Sequence, residues 1–178
     1  IEADFHFLPY ELNPDMSTRG EAIDHYFKRR HQWGQPKLLD YQENLMAVAS
    51  SADVNIDFTK RTHYYNSNKA HQLIHWAEGY GSQQALNELL IDAYFKHGLD
   101  ISNPVVLLEL VEQLGLDSSK ARQVLYSSAV DEQLLYKKQR VQQLALPNIP
   151  AFIINDSAPI SGSKSVNYFE QVLGAMQE

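Results

Sequence analysis

The chain has 178 residues, 44% of them apolar and 21% charged, with a formal net charge of -7; that is enough for one domain with a real core, and too acidic for a partner bound through clustered Lys and Arg. There is no cysteine, which excludes a disulfide scaffold, a zinc knuckle, an iron–sulfur site or a cysteine nucleophile within these residues. No apolar run approaches the roughly 18 residues of a membrane span and no basic, then apolar leader opens the chain, so the expected setting is cytoplasmic, with no nucleic-acid and no membrane partner.

In chain order, residues 3–12 alternate loosely, with Phe5, Phe7 and Tyr10 among polar neighbours, and Asn13-Pro14 closes them; this predicts a strand leading into a turn. Thr18-Arg19-Gly20-Glu21 has the form of a capping box, predicting a helix that runs to His31. A second helix is expected over 36–50, with Leu38, Leu39, Leu45, Met46 and Ala49 as its apolar stripe, then a short extended piece at 54–58. From Asn66 the pattern is helical for about eighty residues. Leu86, Leu89, Leu90, Ala93 and Tyr94 repeat at helical spacing up to a stop at Gly98. Asn103 caps a helix that has Pro104 in its first turn and Gly115 as its stop. Asp117 caps the next helix, and 131–144 forms another. The ending changes character: a strand at 151–155, a turn at 156–159, a short return at 160–162, and an amphipathic helix at 165–176 with Val166, Phe169, Val172 and Leu173 inward.

Few motifs carry chemistry on their own. His71 and His75 stand at i and i+4 with Glu78 beyond, a spacing able to hold a metal, but Gln72 occupies the place of a zincin's general base and no third His follows; no metal is expected. Asp53, Asp57 and the acidic residues of 109–117 show no paired-carboxylate spacing. Phosphate loops and the G-x-S-x-G elbow are absent. Lys28-Arg29-Arg30 and Lys137-Lys138 read as solvated faces. The aromatic residues Trp33, Tyr64, Tyr65, Trp76, Tyr94 and Phe95 read as packing rather than a cofactor box.

Three stretches together carry more: "LPYELNPDM" (8–16), "NSNKAHQLIHWA" (66–77) and "LPNIPAFIINDSAPISG" (146–162). In order and separation they resemble the DsbA-like branch of the thioredoxin superfamily, and within it the FrnE-like dithiol oxidoreductases. The resemblance implies an α/β, thioredoxin-like fold with a large inserted α-helical subdomain, the core at 1–14 and 145–178 and the mainly helical insertion at 15–144. It implies a cis Ile149–Pro150 bond whose neighbouring backbone docks an extended substrate, with Ile149, Pro150, Asn66, His71, Pro9 and Asn13 as substrate-binding residues. It also implies a strand and a Cys-x-x-Cys helix ahead of Ile1, the strand lying between 3–12 and 151–155, so the catalytic residues are expected outside the chain. The activity implied is thiol–disulfide oxidoreduction or isomerisation on a cysteine-containing polypeptide or small thiol, with no cofactor. Two alternatives stay open. One is a glutathione-dependent isomerase or transferase, as in the kappa-class glutathione transferases and the 2-hydroxychromene-2-carboxylate isomerases; the other is a redox-inactive peptide-binding relative.

Overall fold

A computed structural model describes residues 4–127, 129 and 131–176. The chain divides into two compact units, one of residues 1–10 and 131–178, the other of residues 11–130. Among the described residues no helix is long and apolar enough to cross a membrane.

The larger unit begins with a turn closed by the Met16 N–H on the Asn13 carbonyl at 3.0 Å. A two-residue strand, β1 (Glu21–Ala22), runs directly into α1 (Ile23–His31) and pairs antiparallel with β2 (His63–Tyr64), Glu21 facing Tyr64 and Ala22 facing His63. The capping box at Thr18–Glu21 does not form. Gly20 takes a left-handed φ of 71°, Glu21 becomes extended, and its carboxylate reaches forward to the Arg29 guanidinium through bonds of 3.0 and 2.6 Å instead of back to a helix terminus. Ile23, Tyr26 and Phe27 bury one face of α1 with Leu38 of α2 (Gln35–Ser50), and Met16, Trp33, Tyr41, Phe58 and Tyr64 pack around them. Phe27 stacks on Trp33 with ring centroids 5.0 Å apart, and Tyr26 lies 4.3 Å from Tyr64. The expected stripe of α2 is narrower than its sequence suggests. Leu38 and Ala49 are buried, but Leu39 and Met46 point to solvent, because α1 covers only one side of the helix. Residues 54–58 form no strand; the pairing role belongs to β2.

The rest of this unit is helical: α3 (Asn68–Glu78), α4 (Gln83–Ile91) continued by a π-turn (Asp92–Lys96), α5 (Pro104–Gln113) and α6 (Ser118–Tyr126). α3 packs on α4 and α6, and α5 on α4 and α6. Leu73, Ala77, Leu86, Leu107, Val111 and Ala121 are wholly buried there, each large side chain contributing about 1.5–3 kcal/mol by leaving water. The caps at Asn103 and Asp117 form as the sequence predicts: Asn103 accepts from the Val105 N–H at 2.9 Å, and Asp117 accepts from the N–H groups of Ser119 and Lys120.

In the smaller unit, α7 (Glu132–Gln143) is capped by Asp131, which accepts from the Leu134 N–H at 2.9 Å. β3 (Ala151–Phe152) and β4 (Ile160–Ser161) form an antiparallel hairpin, and α8 (Val166–Ala175) follows, capped by Ser165. Two expectations for this unit need correction. The strand predicted at 3–12 is absent over 4–12, and the strand predicted at 151–155 stops at Phe152. Among the described residues no ladder joins the two segments. A strand is defined by a neighbour's hydrogen bonds, and residues 4–12, with Pro9 among them, have no partner strand among the described residues; the start of that predicted strand, Ala3, lies outside them. In α8, Phe169, Val172 and Leu173 are half-buried as expected, but Val166, in the first turn, is 75% exposed.

Candidate functional site

The hairpin is built around the chemistry of Pro150. Proline has no N–H to give a ladder, so this end of the hairpin closes from the other side: the Gly162 N–H donates to the Pro150 carbonyl at 2.7 Å. Next to it, Ala151 faces Ser161 and Phe152 faces Ile160. The Ile149–Pro150 peptide bond is cis. Ile149 itself is outside the ladder; among the described residues its N–H and C=O have no hydrogen-bond partner, and its side chain is 46% exposed. Two contacts and a turn hold this arrangement. Phe152 meets Phe169 of α8 edge to face at 4.8 Å, Arg140 of α7 binds the Asp156 carboxylate at 2.6 Å, and the loop turns through Asn155 and Asp156, both at positive φ. Asn and Asp tolerate that conformation better than other side chains do. Pro9 belongs to the same unit and is buried.

Asn13, Asn66 and His71 belong to the helical unit. The structure brings the first two together. Asn66 Nδ2 donates to the Met16 carbonyl at 2.8 Å, its Oδ1 accepts from the Asn68 N–H at 2.9 Å, and Met16 in turn closes the turn on Asn13. Asn13 Oδ1 accepts from the Tyr26 hydroxyl at 2.9 Å and from Arg30 at 3.1 Å. Both amides are thus used in fastening the 13–16 turn to α1 and to the start of α3. His71 is half-buried on α3, one turn before His75, whose Nδ1 lies 3.5 Å from Glu78. Among the described residues no group of three or more His, Asp or Glu side chains could hold a metal.

Sequence reasoning missed two polar arrangements in this unit. The first is a relay along α3: Gln72 Nε2 donates to Asn68 Oδ1, Asn68 Nδ2 donates to Glu11, and Gln72 Oε1 is buried without a hydrogen-bond partner among the described residues. The i, i+4 spacing of Asn68 and Gln72 is the signal that could have found it. The second is Arg61, 4% exposed, whose guanidinium carbon lies 4.6 to 5.4 Å from the ring centres of Phe58, Tyr64, Tyr94 and Phe95. Such a cage favours a desolvated cation through the negative ring faces. Burial pushes the Tyr94 hydroxyl up to about 12 and raises that of Tyr64, and Tyr94 donates to the His63 carbonyl at 3.0 Å. Both phenols therefore stay neutral around the cation. Neither arrangement contains a thiol. The backbone N–H and C=O of Ile149 are open among the described residues, and residues 1–178 contain no thiol.

A strand hairpin followed by an amphipathic helix, with a helical unit drawn from the sequence ahead of it, is the outline of an α/β protein of the thioredoxin-like class. The chain belongs to the DsbA-like thioredoxin family: the family model of the DSBA-like thioredoxin domain matches residues 2–174. It is 22% identical to the uncharacterized protein YwbO of Bacillus subtilis (strain 168) over 178 residues, covering 99% of this chain and 84% of that protein. Among solved structures it resembles a probable DsbA oxidoreductase of Streptomyces coelicolor, with a TM-score of 0.85 at 22% identity over 94% of this chain and 73% of that one. A Nitrosomonas europaea protein that carries a disulfide isomerase name aligns with a TM-score of 0.66 at 16% identity, over 80% of this chain and 74% of that one. At these identities the structural likeness establishes the fold.

Proposed function

We propose that the protein is a thiol–disulfide oxidoreductase or isomerase of the FrnE-like branch, in which the hairpin at 149–162 receives a cysteine-containing, extended polypeptide as an added strand. The unpaired backbone of Ile149 carries this reading. It presents one donor and one acceptor beside a ladder whose next carbonyl is already taken by Gly162. A guest strand satisfies both groups while its alternate side chains point away from the hairpin. In this reading Ile149 and Pro150 touch the guest and the buried Pro9 supports their unit. Within the helical unit, His71 faces substrate and Asn13 and Asn66 act by holding the 13–16 turn. Exchange needs a thiolate and a second thiol to resolve the mixed disulfide. Neither exists among residues 1–178, so the reading has the reactive Cys-x-x-Cys supplied by polypeptide outside them. No cofactor is required, and a cytoplasmic setting favours reduction or isomerisation over net oxidation.

Two measurements test this. In the first, the isotopically labelled chain is titrated with an extended peptide whose central cysteine is S-alkylated, and amide shifts are followed by NMR. The expected shifts fall at 149–152 and 160–162; shifts confined to other residues sink the docking assignment. In the second, a longer gene product bearing the Cys-x-x-Cys is assayed for insulin reduction with dithiothreitol. Turnover supports the reading, whereas a serine in place of the first cysteine together with glutathione binding would move the protein to the transferase side.

A further inference from the structure

The helical unit carries a second feature, made entirely of residues within 11–130. On α2, Leu39, Gln42 and Met46 stand at i, i+3 and i+7 and so share one face; Leu39 is 48% and Met46 36% exposed. Opposite runs the 54–60 segment, pinned at Val54 and at Asp57. The Val54 N–H donates to the Ala49 carbonyl and the Asp57 N–H to the Phe95 carbonyl, each at 2.9 Å. Between those pins, the backbone groups of Asn55 and Ile56 have no hydrogen-bond partner among the described residues. The bond to Phe95 also brings the end of the π-turn alongside, and with it Lys96 and His97. Helix, segment and π-turn together enclose an open trough of about 500 Å³.

Its charge is one-sided. Asp57 is answered within the trough by Lys60 at 3.2 Å and by the Thr59 hydroxyl. Lys96 and His97 have no ion-pair partner among the described residues, in a chain whose formal net charge is -7. A small ligand usually needs a cavity that surrounds most of its surface. An open trough with an apolar floor, unpaired backbone on one wall, and the Lys96 ammonium with the His97 ring at one end matches a chain segment better, because a chain buries one face, offers its own N–H and C=O groups and leaves the other face in water.

We propose that this trough docks an extended, apolar-then-acidic segment of another polypeptide: an apolar side chain rests on Leu39, Met46 and Phe58, the backbone pairs with Asn55 and Ile56, and the carboxylates that follow meet Lys96 and His97. This goes beyond the docking assigned to Ile149 and needs no thiol.

The test uses fluorescein-labelled peptides of sequence Leu-Phe-Ser-Asp-Glu and Leu-Phe-Ser-Lys-Lys, titrated by anisotropy against the chain of residues 1–178. The acidic peptide is expected to bind saturably and to weaken with added salt, the basic one to bind less. Lys96→Glu is expected to weaken the acidic peptide roughly fivefold, the scale of exposed ion pairs, and to strengthen the basic one. Leu39→Asp is expected to remove both, with Met46→Asp as a second variant and far-UV circular dichroism as the check of folding. Lys120→Glu, an exposed cation on α6, is expected to change neither. Equal binding of the two peptides, or a preference that Lys96→Glu leaves unmoved, overturns the proposal. So does binding of dodecanoate that is lost in Lys96→Glu while neither peptide binds, which would make the trough a site for an amphiphilic anion.

Discussion

Gly98 shows how much can depend on one missing carbon. It sits at φ 67°, and a Cβ there would lie inside contact distance of the Lys60 carbonyl and the Arg61 backbone. Gly115 has nearly the same φ, 71°, with nothing within 4 Å of its would-be Cβ. The two Ala variants therefore separate strain from crowding. Gly115→Ala is expected to cost about 1 kcal/mol, the left-handed penalty alone; Gly98→Ala is expected to cost at least about twice that, since backbone cannot step aside as a side-chain tip can. Urea unfolding of both variants measures the difference, and equal losses would mean that the Lys60 loop gives way. Asp57, in that same loop, is an acid-sensitive residue. The Thr59 hydroxyl hydrogen bond, helped by Lys60, pulls its carboxyl from 3.8 to about 2. A lowered folded value means that the folded state holds its proton less tightly than the unfolded chain does. The contribution is present above pH 4 and is lost as pH falls toward 2. Asp57→Asn is expected to lower thermal stability at pH 7 and to flatten its decline between pH 4 and 2; parallel melting curves of variant and parent across that range would refute this. The helix stop at Gly98 was legible in sequence because glycine marks left-handed turns. The buried Arg61 cage was not, since its four rings come from positions 58, 64, 94 and 95 and only the folded chain brings them together.

At the scale of elements, local chemistry was legible and non-local pairing was not. The caps expected at Asn103 and Asp117 need only the side chain and the next turn, and the structure holds both. Thr18–Glu21 has the right spelling for a cap and forms none, because Glu21 finds a longer-range partner in Arg29 and extended backbone opposite Tyr64. That contrast is measurable. Asp117→Ala leaves the N–H groups of Ser119 and Lys120 without their acceptor and is expected to cost about 1 kcal/mol, the usual worth of an N-cap. Thr18→Ala is expected to stay within about 0.5 kcal/mol, as surface changes away from special features do. A large loss at Thr18 in chemical denaturation would restore the capping box. Strands are the least legible elements: two-residue ladders such as Glu21–Ala22 with His63–Tyr64 carry no alternation to detect, and the alternation expected to make a strand of 3–12 meets no partner strand over the described residues 4–12. The α2 stripe failed for a related reason, in that apolar spacing says which residues share a face without saying whether a neighbour covers it.

For the whole molecule, the family was legible from three scattered stretches because each preserves a local signature, whereas the distribution of burial between the two units was not, being a sum over contacts. That distribution is uneven. Leu134 and Pro9 are the buried apolar side chains among the described residues of the unit formed by 1–10 and 131–178, and α8 buries none completely. The helical unit encloses Leu73, Ala77, Leu107 and Val111 at 0% exposure on α3 and α5 alone. Opening a segment exposes the apolar area it had buried, so its protection scales with that burial. Native-state hydrogen exchange is therefore expected to rank the amides of β3, β4 and α8 well below those of α3 and α5, with the first group opening locally and the second only on global unfolding. In the proposed docking a guest strand at Ile149 supplies ladder bonds to the weaker unit, so saturating concentrations of the S-alkylated peptide are expected to slow exchange at 149–162 selectively, by the mass-action factor of its occupancy. If α8 exchanges as slowly as α5 in the unliganded chain, the two units unfold as one and the uneven burial has no energetic consequence; if the peptide slows every amide equally, its binding is coupled to global stability and not to the hairpin.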